Sequence, residues 1–445
     1  MTENEPAHST QPAYTLDPKL AAYGSIILLG LLTWLLLSVT YSGAVSTSSG
    51  ITGMDFKVFY PAAVRLNQGQ PLYQPNLPLS LQHALYCYTP LPAELLRPLG
   101  HLSFDKALKF WFFINAGGLI LAIALYGSAV RLAWRDAWLL GILLLISFRF
   151  WDNTLNFGVG QSNDLLLGFV GGMLWADSRG RWGLMGALIV VAALFKVWLI
   201  GMLLYLVLRR QWKPLIGSIA GFIVSVGLSF ALVGFNQMSS LLRVLQESKA
   251  AQEGQEVQSS IIGFANISLH ANRFVTPFVN SEAVYLTFIA LCTATILAGF
   301  VFLWRVLARP SPLEARLAFG VTLASILLLL PTYENGYFVY CFPLLWTLLV
   351  SPDADWKASA RMITPARLML VGGVVIYLIF SRSWPFFTPF APSYQHGLKS
   401  LLVSMKFFGT ASLWVVAVVV LRGLRMPKVA SSQEAAFALK TQAEF

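Results

Sequence analysis

Charge is scarce in this chain: Asp, Glu, Lys and Arg make up only 11% of its 445 residues, while 56% are hydrophobic. A soluble domain of this size cannot hide so much apolar surface under so thin a polar shell. Cysteine is nearly missing too. Cys87, Cys292 and Cys341 stand far apart, which excludes a disulfide framework and a multi-cysteine metal site. The five histidines (His8, His83, His101, His270 and His396) have no ligand spacing. The sequence has no Walker loop, no HExxH pair, no Gly-rich dinucleotide turn after a strand and no Ser/His/Asp constellation. Gly158-Val159-Gly160 is a lone GxG, too weak a signal to carry a nucleotide site.

What remains is a succession of apolar runs, which makes the expected class an all-α, polytopic helical membrane protein. The first 19 residues are polar, and no small-residue cleavage site follows a short apolar core. Residues 20–45 therefore read as a retained first span rather than a signal peptide. The formal net charge of +11 lies mostly in very short gaps between runs, such as Arg179/Arg181, Arg209/Arg210/Lys213 and Arg305/Arg309/Arg316. These basic gaps alternate with longer ones sparse in Lys and Arg, the positive-inside pattern. The charge thus marks topology and argues against a nucleic-acid partner.

Anchored on those gaps, the chain is expected to make about twelve crossings or partial crossings with both termini cytoplasmic. The expected spans are 20–45, 109–130, 137–149, 164–176, 183–195, 197–208, 214–235, 283–304, 317–331, 337–350, 368–381 and 398–421. They form one transmembrane domain over 1–421, with large extracytoplasmic loops at 46–108 and 236–282 and a short aromatic one at 382–397. Residues 422–445 read as a polar cytoplasmic tail, disordered by composition.

Span length carries information. Segments 137–149 and 164–176 give roughly 20 Å of helix each, against a hydrocarbon core of about 30 Å. Taken as one span, 183–208 buries Lys196 near its middle and puts Arg209 and Arg210 outside. Two short helices meeting at Lys196 keep every basic gap inside. Broken helices survive in a membrane where their ends line a wet, protein-walled cavity, so these segments point to a polar notch open to the outer face. At that notch fall Arg149, Asp152 and Asn153, then Gln161, Ser162, Asn163 and Asp164, and finally Lys196. A lysine at mid-membrane costs about 2.5–3.5 kcal/mol and usually has an anionic partner. Snorkelling to the interface from a short helix is the other reading.

The first outer loop opens with Gly53-Met54-Asp55-Phe56-Lys57-Val58-Phe59-Tyr60. Pro61 fits a helix start near Tyr60 and Gly69 a stop, with aromatics and prolines at 86–92 stiffening the rest. Aromatics beside a span form an interfacial belt, with Asp and Lys merely solvated. They also supply a surface for a sugar ring at Phe56, Phe59 and Tyr60. An aspartate on a stiff loop above a notch is placed to act as a general base.

The ordered set Asp55-Phe56…Tyr60-Pro61-Ala62-Ala63…Arg65…Gly69-Gln70-Pro71-Leu72-Tyr73, Tyr88-Thr89-Pro90-Leu91, Gly160-Gln161-Ser162-Asn163 and Ala193-Leu194-Phe195-Lys196 resembles glycosyltransferase family 87. The likeness runs over roughly residues 20–350. It implies a GT-C-like membrane enzyme of the inner (plasma) membrane that moves a sugar, usually mannose, from a polyprenyl-phosphate to an extracytoplasmic glycolipid or glycan. It further implies an inverting reaction with no metal or other cofactor. By the resemblance, Asp55 is the base, and Lys196 with Gln161 and Asn163 holds the donor phosphate. Tyr60 and Tyr88 lie in its substrate-contacting motifs. Arg149 and Arg382 are fallback phosphate ligands. Where many members carry a histidine, this chain reads Pro331-Thr332-Tyr333-Glu334-Asn335-Gly336-Tyr337, so Glu334 and Asn335 take its place in donor or acceptor contact. Asp164 is a second departure, since an apolar residue is common there. The rival class is a transporter or flippase of a lipid-linked or polar solute, which also wants broken helices and a buried lysine. Its mark, internal symmetry between halves, is not visible in the chain.

Overall fold

Helices form where the apolar runs lie, and their ends are set by polar contacts that hydropathy does not register. The computed structural model describes residues 18–45, 52–75, 85–133, 136–252, 259–271, 276–331, 334–350 and 405–425, with positions 369, 372–376, 397 and 401. In order these give α1 (Pro18–Val45), α2 (Phe56–Asn67), α3 (Pro90–Leu96), α4 (Phe104–Ala129), α5 (Trp138–Arg149), α6 (Trp151–Val159) and α7 (Asn163–Ser178). There follow α8 (Trp182–Phe195), α9 (Leu203–Leu208), α10 (Trp212–Val233), α11 (Gln237–Gln252), α12 (Ile261–Ser268), α13 (Glu282–Val306), α14 (Pro312–Leu329), α15 (Phe342–Val350) and α16 (Met405–Arg425). Short 3-10 segments at Arg97–His101, Val197–Met202 and Asn335–Cys341 join some of them. No β-strand occurs among the described residues.

Six helices, α1, α4, α10, α13, α14 and α16, are long and apolar enough to cross a membrane. The protein is an all-α, polytopic membrane protein. The remaining apolar segments are short or broken: α5 and α6 meet at a 61° bend, and Trp182–Phe195, Val197–Leu208 and Gly336–Leu349 are each shorter than a full span. The expected span at 368–381 and the loop at 382–397 lie almost wholly outside the described residues.

Among the boundaries that differ from expectation, three have a clear local reason. The start of α2 is at Phe56 rather than near Tyr60, which leaves Pro61 inside the helix. The helix begins early because the turn before it is pinned from outside, as described below. Residues 151–159 were expected as a polar turn and instead form α6. The start of α14 is at Pro312, where Ser311 and Glu314 make a reciprocal capping box. Arg316, expected in a solvated gap, is therefore buried within that helix.

Packing separates lipid-facing helices from an enclosed centre. On α1, α10 and α13, side chains such as Ile27, Trp34, Ile223, Leu232, Leu291 and Val301 are exposed, as a lipid face requires. In α14 every residue from Leu313 to Leu328 is buried. Against α4 packs α7 through a small-residue seam. A Cβ on Gly118 would fall 2.4 Å from the Asp164 carbonyl oxygen, and one on Gly171 2.7 Å from the Ala122 Cα. Such close backbone approach substitutes for the hydrophobic drive that lipid removes. The segment between α1 and α4 has a core of its own, in which Phe56, Phe59, Tyr73, Tyr86 and Leu96 gather around Trp111 of α4 and Phe230 of α10.

Candidate active site

Asp55 is placed by backbone hydrogen bonds to the end of α6. Gly53 N donates to the Gly158 carbonyl and Asp55 N to the Val159 carbonyl, each at 2.8 Å. The helix then ends at Gly160 with φ +74°. A side chain there is excluded twice, by that left-handed backbone and by Phe56 Cβ, 2.8 Å from where a Cβ would stand. The Gly160 carbonyl accepts from Trp111 Nε1 at 2.7 Å, and the same indole stacks on Phe56 with centroids 5.6 Å apart. The Asp55 loop, α4 and the turn after α6 are thus one assembly.

That turn presents Gln161, whose amide lies between two charges. Gln161 Oε1 accepts from Lys196 Nζ at 3.2 Å and from Ser162 N at 3.3 Å, and the same amide favours the charged form of Asp55. Lys196 sits where α8 stops. Its backbone is extended (φ −133°, ψ 101°), and the Thr89 hydroxyl of the first loop donates to the Leu194 carbonyl just before it. The lysine is buried at 3% exposure, with Nζ 4.1 Å from the Tyr337 ring centroid. Tyr337 in turn stacks on Trp198 at 5.5 Å. An ammonium has three donors, and the one on Gln161 leaves others for a ligand oxygen.

The Glu334 charge acts on both Asp55 and Lys196. Burial first, then that neighbouring carboxylate, push the Asp55 pKa up from 3.8 to about 6, while Lys196 and the Gln161 hydrogen bond pull it back. An acid so tuned is ionised at neutral pH yet basic enough to take a proton.

The sequence-derived candidates divide clearly. Asp55, Gln161, Lys196 and Glu334 come together, and Tyr88 joins them, its ring 4.7 Å from that of Phe59 and within reach of the charges of Asp55 and Glu334. Asn163 lies behind them with both polar atoms engaged: Nδ2 donates to Asn156 Oδ1, and Oδ1 accepts from the Tyr340 hydroxyl, each at 3.1 Å. Tyr60 turns into the loop, donating to the Leu102 carbonyl at 2.7 Å. Arg149 is exposed at the end of α5. The Asn335 backbone opens a 3-10 segment, its side chain lying outside what is described, and Arg382 is outside the described residues altogether.

Sequence reasoning missed what holds the cluster. Asn156 of α6 donates to the Gly336 carbonyl at 3.0 Å, and a Cβ on Gly336 would stand 2.2 Å from Asn156 Oδ1. The glycine is what lets the Glu334 segment close on α6. Asp152, at the other end of α6, makes a buried ion pair with Lys406 of α16. The signal was present: Asn153 and Asn156 share helical spacing, and Lys406 sits in an apolar run, as Lys196 does.

The sequence profile of glycosyltransferase family 87 matches residues 86–331, more than half of the chain. The chain belongs to glycosyltransferase family 87. This family 87 member is 26% identical over 330 residues to an alpha-(1->3)-arabinofuranosyltransferase of Corynebacterium glutamicum, spanning 71% of this chain and 73% of the relative. It is 25% identical over 388 residues to a polyprenol-phosphate-mannose-dependent alpha-(1-2)-phosphatidylinositol pentamannoside mannosyltransferase of Mycobacterium tuberculosis, spanning 83% and 82%. It is a membrane glycosyltransferase. Tyr88, Gln161, Asn163 and Lys196 lie inside the matched segment; Asp55, Glu334 and Lys406 lie outside it.

Proposed function

We propose that this glycosyltransferase takes a sugar, mannose in the first instance, from a polyprenyl-phosphate and transfers it with inversion to a glycolipid or polysaccharide acceptor on the extracytoplasmic face of the inner membrane. The observation that carries the reading is the Asp55–Gln161–Lys196 cluster, a buried ammonium bonded to a neutral amide that also acts on the neighbouring carboxylate. In the reaction the acceptor hydroxyl oxygen bonds to the anomeric carbon from the side opposite the phosphate. The anomeric carbon–oxygen bond breaks, and its electron pair leaves on the phosphate. The leaving group is already anionic, so it needs a cation more than an acid, and Lys196 fills that role. The hydroxyl proton passes to the Asp55 carboxylate. Tyr88 and Tyr337 supply ring surface beside the two charges.

The printed name of the mycobacterial relative supports a polyprenyl-phosphate mannose donor, and that of the corynebacterial one a furanose product. The deciding experiment presents the protein, purified in lipid, with a panel of polyprenyl-phosphate sugars and measures free polyprenyl-phosphate. Release with mannose, lost in Asp55→Asn, is the expected result. Release that persists undiminished in Asp55→Asn removes the base assignment, and release only with a pentose donor removes mannose.

A further inference from the structure

Nothing in the proposed chemistry uses Asp152 or Lys406, yet both are almost completely buried, at 0% and 6% exposure, and paired with each other. They lie 254 positions apart in sequence, and Lys406 falls beyond the matched family segment. A buried ion pair gives little net stability on average, because desolvation offsets attraction, so its retention calls for a geometric reason. The geometry supplies one. Asp152 stands in the first turn of α6, and the last residues of the same helix hold the Asp55 backbone. The nine residues of α6 give a strut of about 13 Å with almost no freedom to flex. Along it Asn153 Nδ2 donates to the Ser147 carbonyl at 2.9 Å and Asn156 clamps Gly336. The Lys406 ammonium also lies 5.7 Å from the centroid of Phe338, in the 3-10 segment that follows Glu334. One cation therefore touches both walls of the site from behind.

We propose that Asp152 and Lys406 are positioning residues: their ion pair fixes the placement of α6, and so the distances among Asp55, Gln161 and Lys196 at its far end. This rests on the reading that transfer occurs at the Asp55–Lys196 cluster. When one partner is neutralised, the other is left buried and uncompensated, and α6 moves to relieve it. The turn at Gly160 and Gln161 then draws away from Lys196. Asp55 then feels less of the two groups that favour its ionised form, the Lys196 charge and the Gln161 amide. The other groups facing Asp55, namely Glu334, Tyr88 and Tyr337, supply no compensating cation.

The test compares Asp152→Asn, Lys406→Met and the double Asp152→Asn/Lys406→Met in the full chain in lipid nanodiscs, with kinetics normalised to folded protein. Each single variant is expected to shift the acidic limb of kcat/KM to higher pH and raise the donor KM about five- to tenfold, the usual scale of coupling within one network. The double variant, neutral on both sides, returns most of the way. Folded single variants with an unmoved limb and wild-type KM overturn the proposal. If the wild type lacks an acidic limb that Asp55→Asn abolishes, the functional reading has failed separately. The pair is then judged by peptide-resolved maleimide labelling of Cys87, which lies among the charges of Lys196 and Glu334. Faster labelling in the single variants, with the wild-type rate in the double, sustains the positioning role. Equal rates in all four proteins overturn it.

Discussion

Two acids near opposite ends of α7, Asp177 buried within it and Asp55 half-buried on the loop beside its start, are treated differently. In the last turn of α7, Asp177 accepts from the Tyr205 hydroxyl at 3.0 Å and faces Arg209 Nε at 3.3 Å, and that guanidinium covers Trp182 at 4.7 Å. The Tyr205 hydroxyl is tied further to the Ala315 carbonyl at 3.1 Å. Some 21 Å away by helix length, Asp55 and Lys196 do not meet: no ion pair joins them among the described residues, and Gln161 stands between. One arrangement satisfies its charges internally and closes. The other keeps an acid and a base apart, each with capacity for a ligand. Burial of charge alone therefore does not single out a candidate site; charge whose natural partner has been replaced by a neutral go-between does.

The largest effect that sharpens this contrast is expected from Asp55→Asn. It preserves volume and lowers turnover about 10²–10⁴-fold, the span of general-base assistance, while donor affinity measured by titration changes little. Turnover within a few-fold of wild type would return Asp55 to the solvated belt and make Glu334 the next base to test. Second is Lys196→Met, which removes a charge from the membrane and so inserts at least as well. Donor binding is expected to weaken about 10- to 100-fold, the scale of a charged hydrogen bond, and by more than in Lys196→Arg. Normal donor binding would break the comparison, because the lysine would then be merely structural.

Third in size is the pH profile. With the Asp55 pKa at about 6, kcat/KM falls as pH drops through that value, because the base becomes protonated. Glu334→Gln removes a charge that raises this pKa and moves the limb to lower pH; Lys196→Met removes one that lowers it and moves the limb up. Matching shifts in both variants would deny that the three charges share one field. The smallest effect on chemistry is expected at the closed end. Asp177→Asn retains the Tyr205 contact and loses the Arg209 charge pair. Thermal unfolding of that variant should come earlier by about 1–3 kcal/mol of stability, with kcat/KM of the folded enzyme within about twofold of wild type.

Much of this was legible in the sequence, for identifiable reasons. Helices α1, α4, α10 and α13 follow from uninterrupted apolar runs, and the break at Lys196 from the conflict between span length and the basic gap at Arg209. Asp55, Gln161, Lys196 and Glu334 were all readable as candidates, since each is a polar residue stranded beside a span. What stayed hidden was α6. Its sequence, Trp-Asp-Asn-Thr-Leu-Asn-Phe-Gly-Val, has the polarity of a turn, and its helical form is supported by Ser147 just before it and by Lys406 and Gly336 far along the chain. The early start of α2 was hidden for the same reason, because Gly158 and Val159 set it against the preference of Pro61. Hydropathy sees what lipid demands of a segment and not what another segment lends it.

The distance between Asp152 and Lys406 along the chain also sets a clock on biogenesis. The ribosome must add 254 residues after Asp152 before its counter-ion exists, roughly 13–50 s at ordinary elongation speed. During that interval α6 has already left the tunnel with an unmatched acid, and the first loop can pack on α4 but not on a fixed α6. On the proposed positioning role, the Asp55 end of the protein is expected to mature only when α16 enters the bilayer. A nascent chain stalled before residue 400 should leave the 52–75 loop open to protease in a pulse-chase, and one released at full length should protect it. Equal protection of both would show that the loop settles without waiting for the last helix.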